Sequence, residues 1–462
     1  MRPFFVTVFM NRFFLSLPVA LLAGAALPAL AATPASSGVQ VVSRFERIET
    51  LSNGFRLVSK IDRESPRVAL SLQVRVGASD ETTQNAGWRR LYAGAALRGV
   101  PVAFDRKIQT DDGLGLTRLA ENAGGNAGIN VSDDVIEFWA VGDSARAPQL
   151  LELLLQMWQS SRLSDDDIAR TRTRLSEQLD AQDLDLAAQT NAALRSQEFV
   201  DAGGQPVSYG LSEIGTTASL EFLTPERLRS LSGRVTGSPA TLSAVGDVDG
   251  AALRARLSQL PAPSVAPASA PQFKAVATTK PVRITRDVPV QVAFIFLSYP
   301  LGRVRAEDAP VLRLLSAALS DTPNARLTKR LLDGGGGAPQ ALSLSSQFVQ
   351  RRDGSELLIS AQTVPSRVQA VTRAIVEEVR RLRDAPLSLQ EFAAARNFSR
   401  GDWALSRQSL RDRAFLIGQT PTVVGSPDGL WPSLLAASTP QRAQAVAKRT
   451  LRSYAAAFVV PK

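Results

Sequence analysis

Gly87-Trp88-Arg89-Arg90-Leu91-Tyr92-Ala93-Gly94-Ala95-Ala96-Leu97-Arg98-Gly99 is the stretch on which the fold of this chain turns. Trp88, Leu91, Tyr92, Ala95 and Ala96 recur at helical spacing, which predicts a helix with one apolar face. Arg89, Arg90 and Arg98 lie among them; Arg90 reads most simply as a solvated cation with its stem laid along the helix. Gly94 in a helix interior costs about 1 kcal/mol against Ala, so a close neighbour is expected there. Upstream, Val68, Leu70, Leu72, Val74 and Val76 alternate with Ser71, Gln73 and Arg75, the period of a strand with one buried face. The turn-rich segment Gly77 to Ala86 joins this strand to the helix.

The full chain of 462 residues contains no His and no Cys. Zinc sites draw on those two residue types, and the remaining carboxylates suit hard ions such as magnesium or calcium. No Ser-His or Cys-His nucleophilic pair can be assembled, and nothing points to a Ser-Lys arrangement. The N-terminus reads as an export signal. Arg2 and Arg12 precede the apolar run Phe13 to Leu27, and Ala29-Leu30-Ala31 is a small-x-small cleavage site. Met10 is a second candidate start. Cleavage near Ala31 predicts a periplasmic or secreted protein; the rival reading, an uncleaved anchor, is weakened by Pro18 and Pro28. Absence of Cys fits an exported chain long enough to bury a core without disulfides. The formal charge is +10. For an exported protein that excess reads as a solvated basic surface, with membrane-surface contact the alternative and no nucleic acid expected.

Along the chain, residues 32–44 read as a disordered leader. Asn53-Gly54 marks a hairpin turn within Glu49 to Val58. Pro101 to Leu116 is a turn-rich insertion. Pro148 to Ser161 is a Leu-rich helix, and Ser164 caps a further helix expected to reach about Ala187. Thr224-Pro225 opens another helix and Ala240 to Asp247 is a strand. The run 261–275 is a Pro- and Ala-rich linker between residues 45–260 and 276–462. The second half repeats the first: a strand at Val290 to Leu297, a helix at Asp308 to Leu319, a strand at Glu356 to Thr363, and helices opening at Pro365, Ser388 and Pro440. Gly334 to Gly337 lacks the strand-to-helix context of a phosphate loop and reads as a plain loop.

The chain resembles the pitrilysin/insulinase family of zinc peptidases, in its processing-peptidase-like branch. That family's helix reads G-x-x-H-x-x-E-H-x-x-x-x-G, and Gly87 and Gly99 fall in register with its glycines. Arg90, Ala93 and Gly94 stand where the family has His, Glu and His. Leu51-x-Asn53-Gly54, Gly77 to Glu81, Gly124-Gly125, Asp134, Tyr209-Gly210, Ile214-Gly215-Thr216, Val245-Gly246-Asp247, Arg326-Leu327 and Val459-Val460-Pro461 match scaffold motifs in order. The resemblance implies an α+β fold: two homologous domains, each an antiparallel-rich sheet with packed helices, facing each other as a clam shell. It places the residual metal-ligand position at Glu177; that residue reads as a helix-surface group pairing with Arg174 or a neighbour, and an Arg90–Glu177 ion pair substituting for the metal is the alternative. It places the edge strand that captures peptide at Ile129, Val131 and Asp134. The two substrate-backbone positions are occupied by Leu332 and Pro339.

These substitutions imply a family member without zinc or any other cofactor. The leading functional reading is the inactive subunit of a peptide-binding chamber, paired with an active paralogue or with itself. A stand-alone scaffold is the alternative, and an active metallopeptidase with unorthodox ligands a third.

Overall fold

The computed structural model describes residues 38–41, 46–99, 120–122, 124–159, 163–274, 281–286 and 292–461. The export signal and the insertion at 101–116 therefore lie outside the described residues. Residues 37–462 form one compact unit. Among the described residues no helix is long and apolar enough to cross a membrane.

The first sheet has the order β1-β2-β3-β7-β4-β6-β5. Its strands are β1 (Gly38–Val41), β2 (Glu46–Thr50), β3 (Arg56–Ile61), β4 (Arg67–Val74), β5 (Gly125–Val131), β6 (Ile136–Asp143) and β7 (Ala240–Gly246). Strand β1 corrects the expected disordered leader: Gly38 to Val41 pair antiparallel with β2. The hairpin at Asn53-Gly54 forms as expected, with Gly54 at φ +86°. Asn53 also donates to the carbonyls of Leu257 and Leu260, tying the turn to a helix some two hundred residues away.

Helices α1 (Trp88–Arg98), α2 (Ala147–Gln159), α3 (Asp165–Gln182), α4 (Leu186–Glu198), α5 (Thr217–Phe222), α6 (Pro225–Gly237) and α7 (Gly250–Ser258) complete the first half. Val68, Leu70, Leu72 and Val74 of β4 bury one face of the sheet against Trp88, Leu91 and Tyr92 of α1 and the leucines of α2. The 261–274 stretch carries no regular secondary structure. It is anchored: Phe273 packs on Phe199 and Tyr209, and the Lys274 N–H donates to Val200.

The second half repeats this plan. Its sheet runs β10-β11-β9-β12-β8, with strands β8 (Val282–Arg286), β9 (Ala293–Gly302), β10 (Ser343–Val349), β11 (Ser355–Thr363) and β12 (Ala455–Pro461). In both sheets one parallel pair, β3–β7 or β8–β12, stands beside otherwise antiparallel pairs. Helices α8 (Ala309–Ser320), α9 (Val368–Asp384), α10 (Leu389–Leu405), α11 (Leu410–Val423), α12 (Trp431–Ala436) and α13 (Pro440–Thr450) follow. Helix α8 packs on α10 as α1 packs on α3. The α+β, two-domain reading of the sequence is what the structure shows.

One feature differs from the expectation of strands with a single buried face. Ser71 and Gln73 of β4, and Ser243 of β7, are also buried. Helix α11 of the second half lies on this polar face of the first sheet. Gln73 donates to the Phe415 carbonyl at 2.7 Å, Ser243 to the Ala414 carbonyl at 2.5 Å, and Arg411 to Glu137 at 2.5 Å. Ala414 and Ile417 also pack among Ile48, Val58, Ala69 and Val245. Reciprocally, α4 of the first half covers β9 and β12 of the second sheet, with Leu194 against Ala455 and Ala457. The halves thus face each other through two exchanged helices.

Candidate functional site

Helix α1 opens at Gly87 and is held by the loop that ends in Thr216. Gly87 takes φ +86°, and a Cβ there would stand 2.7 Å from the backbone nitrogen of Gly215. Only glycine meets both conditions without strain. Ser219 donates to the Ala86 carbonyl at 2.8 Å, and Thr216 caps the short helix behind it. Arg89 points inward. It is 1% exposed, paired with Glu81 at 3.2 Å, and donates to the Ser132 carbonyl at 2.5 Å. Burial works to lower the pKa of Arg89, and the Glu81 charge more than offsets it, so the guanidinium stays charged.

Arg90, Ala93, Gly94 and Leu97 fall on another face of α1, at the i, i+3, i+4, i+7 spacing that stacks side chains along one line. They line a cleft of about 660 Å³ together with Ile129 and Val131 of β5, Glu213 and Ile214, and a row on α3 that includes Arg174, Gln178 and Gln182. Strand β5 ends its sheet, so its outer edge has no partner strand among the described residues. The positions expected as the erased site, Arg90, Ala93 and Gly94, and two of the edge-strand positions, Ile129 and Val131, are therefore gathered in one place. All the lining residues come from the first half.

Other expected positions lie elsewhere. Glu177 is exposed and does not line the cleft; it sits on α3 between Arg174 and Gln178, which do. Arg90 forms its ion pair with Glu213 rather than Glu177, because the Glu213 loop passes over the start of α1. Asp134 follows the edge strand, in the tight turn between β5 and β6. It is buried, accepts from the Tyr209 hydroxyl at 2.6 Å and from the Arg352 N–H at 3.0 Å. Asp133 beside it pairs with Arg351 and, at 3.2 Å, with Arg195. Burial works to raise the Asp133 pKa, but these two guanidinium groups hold it well below the usual carboxylate range. This turn therefore pins the two halves together. Leu332 packs partly buried against the second core, and Pro339 is exposed; neither lines the cleft.

The residues present do not fit a zinc ion. Arg90 is a cation, Ala93 and Gly94 carry no donor atom, and a catalytic site needs about three ligands. Among the described residues no group of three or more Asp, Glu, His or Cys could hold a metal. Ala93, at the position the resemblance gives to the general base, has no group that can take a proton.

Sequence reasoning did not pick out Glu213, Gln178 or Thr171 as residues of this region. Gly94 reveals Thr171: a Cβ at Gly94 would lie 2.4 Å from Thr171 Cγ2 and 2.9 Å from Arg174 Nη2. The available signal was the period of α3, in which 171, 174 and 178 share a face.

Residues 234–398 match the description of the peptidase M16 inactive domain. No curated protein matches the chain. Among solved structures, a protease from Helicobacter pylori aligns with a TM-score of 0.77 at 17% identity, covering 90% of this chain and 99% of that one. A peptidase M16 inactive domain from Pseudomonas fluorescens gives 0.76 at 15%, covering 92% and 98%. The periplasmic protease PqqL from Escherichia coli gives 0.72 at 16%, covering 96% of this chain and 49% of PqqL. At such identities the likeness is one of fold.

Proposed function

We propose that the chain is a non-catalytic member of the insulinase-like M16 family and the partner of an active zinc-peptidase paralogue, a reading supported by the match of residues 234–398 to the peptidase M16 inactive domain and by the shared fold. It is exported to the periplasm and contributes one wall of a peptide-binding chamber. The observation that carries this reading is the α1 face. Arg90, Ala93 and Gly94 carry no metal or base chemistry, yet the cleft they line is open and bordered by β5, whose outer edge has no partner strand among the described residues. Such an edge accepts an extended peptide by strand addition. The chain spans about half the length of PqqL, so one long polypeptide has the size of two chains of this kind. That arithmetic supports pairing. The N-terminal sequence supports export.

A stand-alone scaffold is the second reading. It is favoured by Leu332 and Pro339, which leave the second half without the substrate-backbone contacts that the family resemblance implies there.

Affinity capture of the tagged chain from periplasmic extract separates the two. Under the first reading a paralogue bearing H-x-x-E-H co-purifies in stoichiometric amount, and its peptide hydrolysis rises when this chain is added. Recovery of the chain alone, with no effect on the paralogue's rate, favours the scaffold.

A further inference from the structure

We propose that helix α4 is a proton-controlled latch between the halves: it stays seated on the second sheet while Glu198 and Glu356 share one proton, and lets go when that proton leaves.

The position of the pair gives the first reason. Glu198 is the last residue of α4, in the first half, and Glu356 lies on β11, in the second. Each is 1% exposed. The Glu198 carboxyl lies against the Glu356 carboxyl and the Ser298 hydroxyl of β9. Two carboxyl groups in contact and sealed from water cannot both ionise, so one of them keeps its proton. A carboxylate at a helix C-terminus is disfavoured as well.

The neighbours give the second reason, because among the described residues none is a cation committed to Glu198. Arg351 is the cation that acts on it, and Arg351 already pairs with Glu356 at 2.7 Å and with Asp133. Arg195, on α4 itself, pairs with Asp133 at 3.2 Å and donates to the Tyr209 carbonyl at 2.9 Å. Tyr209, in the turn packed against α4, gives its hydroxyl to Asp134. Beneath the rest of the helix, Val282 of β8 and Ala455 and Ala457 of β12 are apolar. Helix α3 adjoins the opposite end of α4, across the break at 183–185.

The shallow seat of α4 makes it the part that moves. Its buried row is Thr190, Leu194 and Glu198, one apolar residue in three. An element with so few buried apolar contacts opens more readily than the core around it. Its first turn, capped by Asp185, adjoins the cleft, which Gln182 and Asp185 line. Release of α4 therefore loosens one end of the cleft wall. That consequence rests on the peptide-binding reading; the latch itself does not.

The test is hydrogen exchange of the full chain, read by mass spectrometry from about pH 5 to about pH 9 and corrected for the intrinsic exchange rate. Burial and the Glu356 charge raise the Glu198 pKa well above 4.5, so opening of α4 releases a proton. Protection of α4 is therefore greatest at low pH and is expected to fall about tenfold per pH unit up to the raised value, the slope of a single proton. Strand β4 stays protected throughout. In Glu198→Gln the slope disappears and α4 stays protected. Where that variant does not melt cooperatively, Glu198→Met takes its place with the same expectation. A flat profile in the unaltered chain, a slope that survives in Glu198→Gln, or loss of protection in β4 together with α4 overturns the proposal. Failure of extended peptides to bind the cleft overturns the peptide-binding reading and leaves the latch standing.

Discussion

At the scale of single residues, Gly94 and Arg89 divide the first helix between cavity and scaffold. Replacing Gly94 with Ala adds about 1 kcal/mol of helix propensity. It also drives a methyl into Thr171, which is buried and β-branched, and overpacking of that kind costs about 1–3 kcal/mol. We expect Gly94→Ala to be destabilising by about 1 kcal/mol net, measured by urea unfolding, with Thr171→Ala relieving the loss in the double variant. Arg89 is a different case. Its charge is fully buried with Glu81, so Arg89→Met leaves an unpaired buried carboxylate and should cost about 3–5 kcal/mol. Joint replacement with Glu81→Gln should recover a large part of that loss in the same assay. The sequence made Arg90 legible as a departure from metal chemistry, but not its partner. Ion pairing depends on which loop crosses the helix, and Glu213 is 123 residues away. Glu177 was a matter of register: on a helix a shift of one residue turns a side chain by about 100°, and Glu177 falls outside the row at 174 and 178 that faces the cleft.

At the scale of elements, the exchanged helices were the least legible part of the chain. Helix α4 follows a break at 183–185, where Asp185 recaps the backbone, so the preceding helix does not run on to Ala187. Helix α11 contains Gly418 and Pro421, which read as helix breakers. Gly418 is needed because a Cβ there would stand 2.6 Å from Ser243 Oγ. Neither helix packs through a wide apolar stripe, because the facing sheet surfaces mix small apolar clusters with buried polar groups, Ser71, Gln73 and Ser243 under α11 and Ser298 and Glu356 under α4. Periodicity reports burial in an apolar core and is blind to such contacts. The same exchange buries Glu198 at the end of α4. Its carboxyl group is sealed from solvent beside Ser298 and Glu356. Burial, with the Glu356 charge adding to it, raises its pKa well above 4.5, while Arg351 and Ser298 pull the other way. Folded Glu198 therefore holds its proton above the pH at which the unfolded chain releases it. The stability it contributes is complete below about pH 4.5 and declines as pH rises through the raised value. In Glu198→Gln, thermal melts across this range should lose that portion of the pH dependence and gain about 1–2 kcal/mol at neutral pH.

At the scale of the whole molecule, the internal repeat was readable because its strands and capped helices carry local signals in the same order twice. Its joining was not, because it depends on contacts between residues hundreds of positions apart. That joining has a consequence for dissection. A fragment ending at Leu260 would expose Ser71, Gln73, Glu137 and Ser243, together with the apolar patch around Ile48, Val58 and Val245, when α11 is removed. Such a fragment is expected to lack a cooperative thermal transition, whereas the 37–462 chain should show one. The two halves are interdependent, and the α1 face presents an arginine, an alanine and a glycine to the cleft. The most direct test is to purify the full chain from zinc-supplemented culture and measure its metal content alongside its cleavage of a quenched peptide substrate. The account predicts far less than stoichiometric zinc and no hydrolysis above the buffer rate. Tightly held stoichiometric zinc, with cleavage abolished by a chelator and restored by zinc, would contradict it.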